Sequence, residues 1–192
     1  AGPVGLACGV EAKRRGLDAL IIEKGALCNS LIGYPTQMEF FSTPELLEIG
    51  GYPFSTDRYK PQREGALDYY RRVAVAEELT LNLYEQVTDL RGSAGDFTVI
   101  TEDGSYRTRN VVLATGFFDI PNRMGVSGDD LDKVTHHFKE PYPYAPQDAA
   151  VIGRAHSAAN AAPACYRDDA TATRVVRGAS IGDMVTYWRT TV

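Results

Sequence analysis

The sequence has 192 residues, 44% of them hydrophobic and 23% charged, with a formal net charge of −5. That length suits one domain or one and a half. No apolar run is long enough to cross a membrane, and the acidic balance without a long basic stretch argues against a nucleic-acid surface. Cys8, Cys28 and Cys165 are scattered with no CxxC pair, so neither a disulfide framework nor a zinc site is expected, and a reducing cytoplasm is the natural setting.

The chain begins Ala1-Gly2-Pro3-Val4-Gly5. Gly2 and Gly5 fit the second and third glycines of a Gly-x-Gly-x-x-Gly turn, whose second glycine admits a pyrophosphate and whose third lets a helix pack on its strand. The first glycine and its strand would precede residue 1, so the sequence is expected to be a piece of a longer protein. Expressed alone, it is expected to be poorly folded and inactive. Leu6 to Arg15 reads as a helix ended by Gly16, and Asp18 to Ile22 as a buried strand finishing at Glu23. Glu23 follows Gly5 by eighteen residues, the place of a carboxylate that accepts hydrogen bonds from ribose hydroxyls.

Pro61 to Glu78 reads as an amphipathic helix and Leu81 to Tyr84 as a short strand. Val87 to Asn110 alternates through three strands, with turns at Gly92-Ser93-Ala94-Gly95 and Asp103-Gly104, the second a hairpin signal. This β-meander leads into Val111-Val112-Leu113-Ala114-Thr115-Gly116, expected as a buried strand whose Thr115 and Gly116 let the backbone approach a cofactor. Pro121 then directs the chain into an extended path.

The first pattern recurs near the end. Asp148 to Ile152 reads as a strand, and Gly153-Arg154-Ala155-His156-Ser157-Ala158 as a fingerprint with alanine at its second and third glycine positions. A helix runs toward Tyr166, with Pro163 expected to kink it or end it early. A strand over Ala172 to Val176 then ends at Arg177, nineteen residues after Ala158. A carboxylate suits free ribose hydroxyls, whereas arginine pairs with a 2′-phosphate through a charge-assisted fork. The first unit therefore suits an FAD or NAD adenosine and the second NADPH.

The layout resembles the thioredoxin-reductase-like FAD/NAD(P)-binding flavoproteins and, within them, the bacillithiol disulfide reductase family. The resemblance is carried by Ile22-Glu23-Lys24-Gly25, Asn29-Ser30, Tyr34-Pro35-Thr36, Phe40-Phe41-Ser42-Thr43, Leu47-Glu48-Ile49-Gly50 and Pro53-Phe54. Ala114-Thr115-Gly116-Phe117, His136, Phe138-Lys139-Glu140 and Val176-Arg177-Gly178 add to it.

The resemblance implies an α/β, FAD/NAD(P)-binding Rossmann-like fold with two dinucleotide-binding domains and a β-meander, incomplete at both ends. Residues 1–122 would be the FAD domain, 123–147 a crossover and 148–192 the start of the NADPH domain. It also implies an FAD enzyme that uses NADPH to reduce a low-molecular-weight disulfide or other small electron acceptor, with a homo-oligomer left open. By position Gly2, Gly5, Glu23, Lys24, Asn29, Ser30, Thr36, Thr115 and Gly116 would contact FAD, and Gly153, Ser157, Ala158 and Arg177 would contact NADPH.

Some features depart from the pattern. Val4 stands where many members carry a cysteine, and Met124 to Gln147 lacks the CxxC of thioredoxin reductases. No catalytic residue is assigned. Cys8 is expected as a small buried residue. His136 suits a place near the nicotinamide, in the hinge or in the framework, and Phe138, Tyr142 and Tyr144 suit packing of the crossover. The alternatives are a flavin-dependent monooxygenase, which shares the layout, and a non-catalytic nucleotide-binding fragment.

Overall fold

A computed structural model describes residues 1–178. The chain divides into two units, Ala1–Pro121 and Asn122 onward.

In the first unit helix α1 (Pro3–Arg14) precedes strand β1 (Ile21–Glu23), and the one-turn helix α2 (Asn29–Ile32) precedes helix α3 (Arg63–Ala76). Strand β2 (Leu81–Leu83) follows and pairs in parallel with β1, Ile21 opposite Leu81 and Glu23 opposite Leu83. Gly16, at φ +67°, ends α1. Its N–H bonds Lys13 O at 2.9 Å and the Leu17 N–H bonds Ala12 O at 3.0 Å, the paired closure that a left-handed residue after a helix makes available. Helix and strand lie close where glycine allows it. A Cβ on Gly9 would fall 2.6 Å from Ile21 Cδ1, whereas one on Gly5 would make an ordinary 3.7 Å contact with Ala114. The close approach expected at Gly5 is therefore made one helical turn later, at Gly9.

The core joins the three helices: Leu6 and Val10 of α1, Leu31 of α2, and Ala66, Tyr69, Tyr70, Val73 and Ala74 of α3, with Cys28 and Phe54. Phe54 stacks on Tyr69 with centroids 4.5 Å apart. The Tyr69 hydroxyl donates to Tyr52 O at 2.8 Å and accepts from Ile49 N–H at 2.8 Å, and the Tyr70 hydroxyl donates to Leu47 O at 3.0 Å. Burying a phenol requires such partners, and here they staple segment 47–54 to α3.

The three predicted meander strands are β3 (Val87–Ser93), β4 (Asp96–Thr101) and β5 (Ser105–Thr108), antiparallel in that order. The first turn is tighter than expected, because Gly92 and Ser93 belong to β3. Gly92 sits at φ +98°, and a Cβ there would lie 2.1 Å from Asp96 O, so only glycine fits.

Glu85 ties the meander to the parallel pair. Its N–H donates to Glu23 O at 3.0 Å, and its carboxylate, 5% exposed, accepts from Thr101 Oγ1 at 2.6 Å, Tyr106 Oη at 2.8 Å and Asn82 Nδ2 at 2.8 Å. The hydroxyl of Thr101, then those of Tyr106 and the Asn82 amide, hold this carboxyl below its ordinary range. A depressed folded-state pKa contributes stability above the unfolded value of about 4.3 and loses it as pH falls through the folded value. Glu85→Gln is therefore expected to be less stable than the wild type at pH 7, with the difference shrinking below about pH 4. Urea midpoints at both pH values check this, and a gap independent of pH would contradict it.

Two expectations fail in this unit. Segment 111–116 is not a strand, and Val112 and Leu113 are 69% and 76% exposed. A strand is defined by its ladder, and no described strand pairs with this one. β1 is likewise half-buried instead of fully buried, since β2 is its one described neighbour in the sheet.

In the second unit β6 (Asp148–Ile152) and β7 (Thr171–Val175) pair in parallel, Asp148 opposite Thr171 and Ile152 opposite Val175. Helix α4 (His156–Arg167) packs on them through buried Ala158, Ala159, Ala161 and Cys165. The helix continues past Pro163 to Arg167, so of the kink or early end expected, the early end does not occur. The missing bond costs roughly 3 kcal/mol, and the buried small side chains of the inner face offset it.

Candidate functional site: two glycine turns at strand ends

The sequence brings two groups together at the start of the first unit. Gly2 caps α1 in extended conformation (φ −80°, ψ 177°), Pro3 occupies the first helical position, and no side chain caps the helix. Proline suits that position because its missing N–H would have had no partner there. A Cβ on Gly2 would meet nothing within 4 Å, so the approach to the first turn is open on the side where a pyrophosphate would lie.

Glu23, at the end of β1, points back to this turn. Its Oε2 lies 2.6 Å from the Ala1 nitrogen and its Oε1 accepts from Gly25 N–H at 3.1 Å. A carboxylate has about four lone-pair sites, which leaves room for ribose hydroxyls. The open glycine and the adjacent carboxylate fit the adenosine half of a dinucleotide.

The other residues expected at this site divide into four places. Lys24 Nζ lies 2.7 Å from Asp119 Oδ2, and Ser30 Oγ donates to Asp119 Oδ1 at 3.2 Å. Both converge on an acid that sequence reasoning did not single out. Asn29 opens α2, and its amide lies 2.5 Å from where a Gly25 Cβ would be, so Gly25 leaves it room. Thr36 is half-buried beyond α2, and Thr115 and Gly116 are exposed, with Gly116 at φ +70° and open space around it.

Beyond Gly116, Phe118 meets Tyr34 edge-to-face at 4.6 Å. Asp119 and Phe118 thus fasten the segment after the Thr-Gly pair to α2. No sequence signal marked Asp119, because its partners Lys24 and Ser30 lie some ninety residues earlier in the chain.

In the second unit Gly153 ends β6 at φ +146°. Its N–H donates to Val175 O at 2.9 Å, and its carbonyl accepts from Arg174 Nε at 3.2 Å. Ala155 caps α4 without a side-chain bond, and no acid occupies the first turn. Ser157 is exposed and Ala158 buried, with its Cβ 3.2 Å from where a Gly153 Cβ would lie. Ala158 thus takes the packing role of a third glycine. Arg177 is exposed, two residues past the end of β7.

Cys8 differs from its expectation, and His136 takes one of the places left open to it. Cys8 is exposed on α1, not buried, because it lies off the face that carries Leu6 and Val10. Cys28 is buried, its backbone left-handed at φ 56°, and burial pushes its thiol up to about 12. Burial raises the Cys165 thiol as well. Neither is a thiolate at neutral pH, so neither is poised as a nucleophile. His136 Nε2 lies 3.6 Å from Asp129 Oδ1, both largely buried, which is framework within the second unit. Phe138 and Tyr144 stack at 6.1 Å, while Tyr142 is 79% exposed.

A glycine turn that opens α1 ahead of the parallel pair β1–β2, a second that leads from β6 into α4, and a meander between them define an FAD/NAD(P)-binding Rossmann-like flavoprotein fold. Across residues 1–192 the sequence matches the model of the pyridine nucleotide-disulphide oxidoreductase family, and the chain belongs to it. It is 40% identical over 188 residues to bacilliredoxin reductase Bdr of Bacillus subtilis, covering 97% of this chain and 58% of that protein. The solved bacillithiol disulfide reductases Bdr (YpdA) superpose closely: that from Bacillus cereus with a TM-score of 0.95 at 37% identity, and that from Staphylococcus aureus with 0.96 at 38%. Each covers 99% of this chain, and the chain covers 60% and 59% of them. It therefore spans somewhat under two thirds of these relatives. Among the described residues no helix is long and apolar enough to cross a membrane, and no group of side chains could hold a metal ion.

Proposed function

We propose that the protein is an FAD-dependent oxidoreductase that uses NADPH to reduce a low-molecular-weight disulfide of the bacillithiol type. Residues 1–122 would serve as the FAD domain, 123–147 as the crossover and 148–192 as the start of the NADPH domain. The observation that carries the reading is the open Gly2 turn at the start of α1 together with the Glu23 carboxylate at the end of β1, supported by relatives whose names specify bacilliredoxin or bacillithiol disulfide reduction.

FAD, when bound, supplies the two-electron carrier between nicotinamide and disulfide. The overall reaction balances as NADPH + H⁺ + R–S–S–R → NADP⁺ + 2 R–SH. What this chain's residues do is bind and orient. Gly2 and the open first turn of α1 take the pyrophosphate, Glu23 the ribose hydroxyls, and Gly116 a close backbone approach. Asn29 and Thr36 would contact the same cofactor, as would Lys24 and Ser30, which Asp119 holds. In the second unit the Gly153 turn, Ser157 and Ala158 receive the NADPH pyrophosphate, and Arg177 pairs with the 2′-phosphate. The buried, protonated Cys28 and Cys165 take no part. Free thiols throughout suit a cytoplasmic setting.

The test uses the protein that carries this sequence. It should purify yellow, release FAD on denaturation, and be reduced faster by NADPH than by NADH, with thiol appearing when bacillithiol disulfide is supplied. Arg177→Glu should abolish or reverse the nucleotide preference, because it removes the fork and sets like charge against the 2′-phosphate. A colourless protein that cannot be reconstituted with FAD would end the reading. NADPH-driven oxygen consumption with an oxygenated product and no thiol would assign it to the monooxygenases instead.

A further inference from the structure

Arg174 is the one arginine among the described residues whose two terminal nitrogens are both sealed from solvent with no hydrogen-bond acceptor. It also forms no ion pair with a described carboxylate. A guanidinium in that state is costly, since a buried charge is tolerated when it is paired and hydrogen-bonded. The side chain is not loose. It stands on β7 opposite Val151 of β6, and its Nε donates to Gly153 O at 3.2 Å. That bond fixes the guanidinium plane at the first residue of the second glycine turn, at the carboxyl end of β6, where open α/β sheets receive their ligands.

We propose that Arg174 binds the pyrophosphate of the dinucleotide, a role separate from that of Arg177. This rests on the reading of the second unit as a dinucleotide site. Arginine matches a phosphate with two parallel N–H donors, and after Nε engages Gly153 the two terminal nitrogens still carry four N–H donors between them, enough for such a fork. The position also assigns the phosphate. A group held on the first glycine lies where the pyrophosphate crosses the turn, whereas the ribose phosphate is read past the strand end, where Arg177 is exposed. Arg174 therefore contributes affinity for any ligand with a pyrophosphate, and Arg177 contributes the choice between NADPH and NADH.

Calorimetric titration of the protein that carries this sequence, in wild-type, R174Q and R177Q forms, separates the two. The probes are NADPH, ADP-ribose (a pyrophosphate without a 2′-phosphate) and adenosine 2′-monophosphate (the reverse). R174Q is expected to weaken NADPH and ADP-ribose by the same factor, roughly ten- to a hundredfold, and to leave adenosine 2′-monophosphate unchanged. R177Q is expected to weaken NADPH and adenosine 2′-monophosphate and to spare ADP-ribose. R174M, which keeps an apolar stem and removes the buried charge, carries the same expectation should R174Q fold poorly. Unchanged ADP-ribose affinity in R174Q or R174M, or a loss confined to the 2′-phosphate ligands, would overturn the assignment of Arg174 alone. A wild-type protein that binds neither NADPH nor ADP-ribose would instead remove the dinucleotide reading on which it rests.

Discussion

Leu6→Ala is expected to lower the stability of the first unit by about 2–5 kcal/mol, the range for emptying a fully buried leucine site. Leu6 is 0% exposed and belongs to the cluster that joins α1, α2 and α3. The cost combines lost transfer free energy with a cavity that rigid neighbours cannot refill. Two of those neighbours, Tyr69 and Tyr70, are anchored through their hydroxyls to segment 47–54, so the site is poorly placed to collapse. Against a domain stability of about 5–15 kcal/mol the loss is large. Urea unfolding followed by tyrosine fluorescence and far-UV circular dichroism checks it, with a lower midpoint and an unchanged slope. A shift below about 1 kcal/mol would mean that α1 is not held through this cluster. Because α1 carries Gly2 at its start, FAD affinity should fall with the stability, and adding FAD should recover part of the midpoint by mass action.

Glu23→Ala is expected to weaken FAD binding by about 1–3 kcal/mol, the scale of hydrogen bonds to a charged acceptor, or roughly 5- to 150-fold in dissociation constant. Its side chain is 15% exposed, so the bonds it makes form in a partly desolvated setting, where charged acceptors are strongest. The Glu23→Gln variant separates role from scaffold. It keeps the length and an acceptor for Gly25 N–H but removes the charge, and should lose part of the affinity with little change in melting temperature. Fluorescence titration of apoprotein with FAD provides the readout. If Glu23→Ala binds FAD as tightly as the wild type, the acid serves only to hold the Gly25 turn, and the ribose assignment is wrong.

The two expectations differ in how visible they were beforehand. Glu23 stood out because a dinucleotide turn demands an acid at a fixed distance, and distance along the chain is a sequence property. The same holds for Gly153 with Arg177, and for the Asp103-Gly104 turn that closes β4 onto β5. Leu6 was visible only as an apolar residue on a helix. Its standing at the centre of the cluster depends on which helices meet there, and α3 lies more than fifty residues away in sequence.

Asp119, Glu85 and Arg174 were invisible for the same reason. Each takes its meaning from partners gathered from remote segments: Lys24 and Ser30 for Asp119, Thr101, Tyr106 and Asn82 for Glu85, and the Gly153 carbonyl for Arg174. Segment 111–116 shows the limit from the other side. Its apolar, β-branched run satisfies every local criterion for a buried strand, yet a strand exists only by pairing, and no described neighbour pairs with it.

What this sequence settled by itself are the features with a local physical cause: helices from 3.6-residue periodicity, their ends from residues such as Gly16, the meander from its turns, and the two glycine turns from their spacing. Tertiary structure alone decided which charges are paired, which thiols are sealed from ionising, and which glycine, Gly9 and not Gly5, takes the closest helix–strand contact. Those are consequences of burial and of neighbours brought together by the chain's return, and short-range preferences carry no record of either.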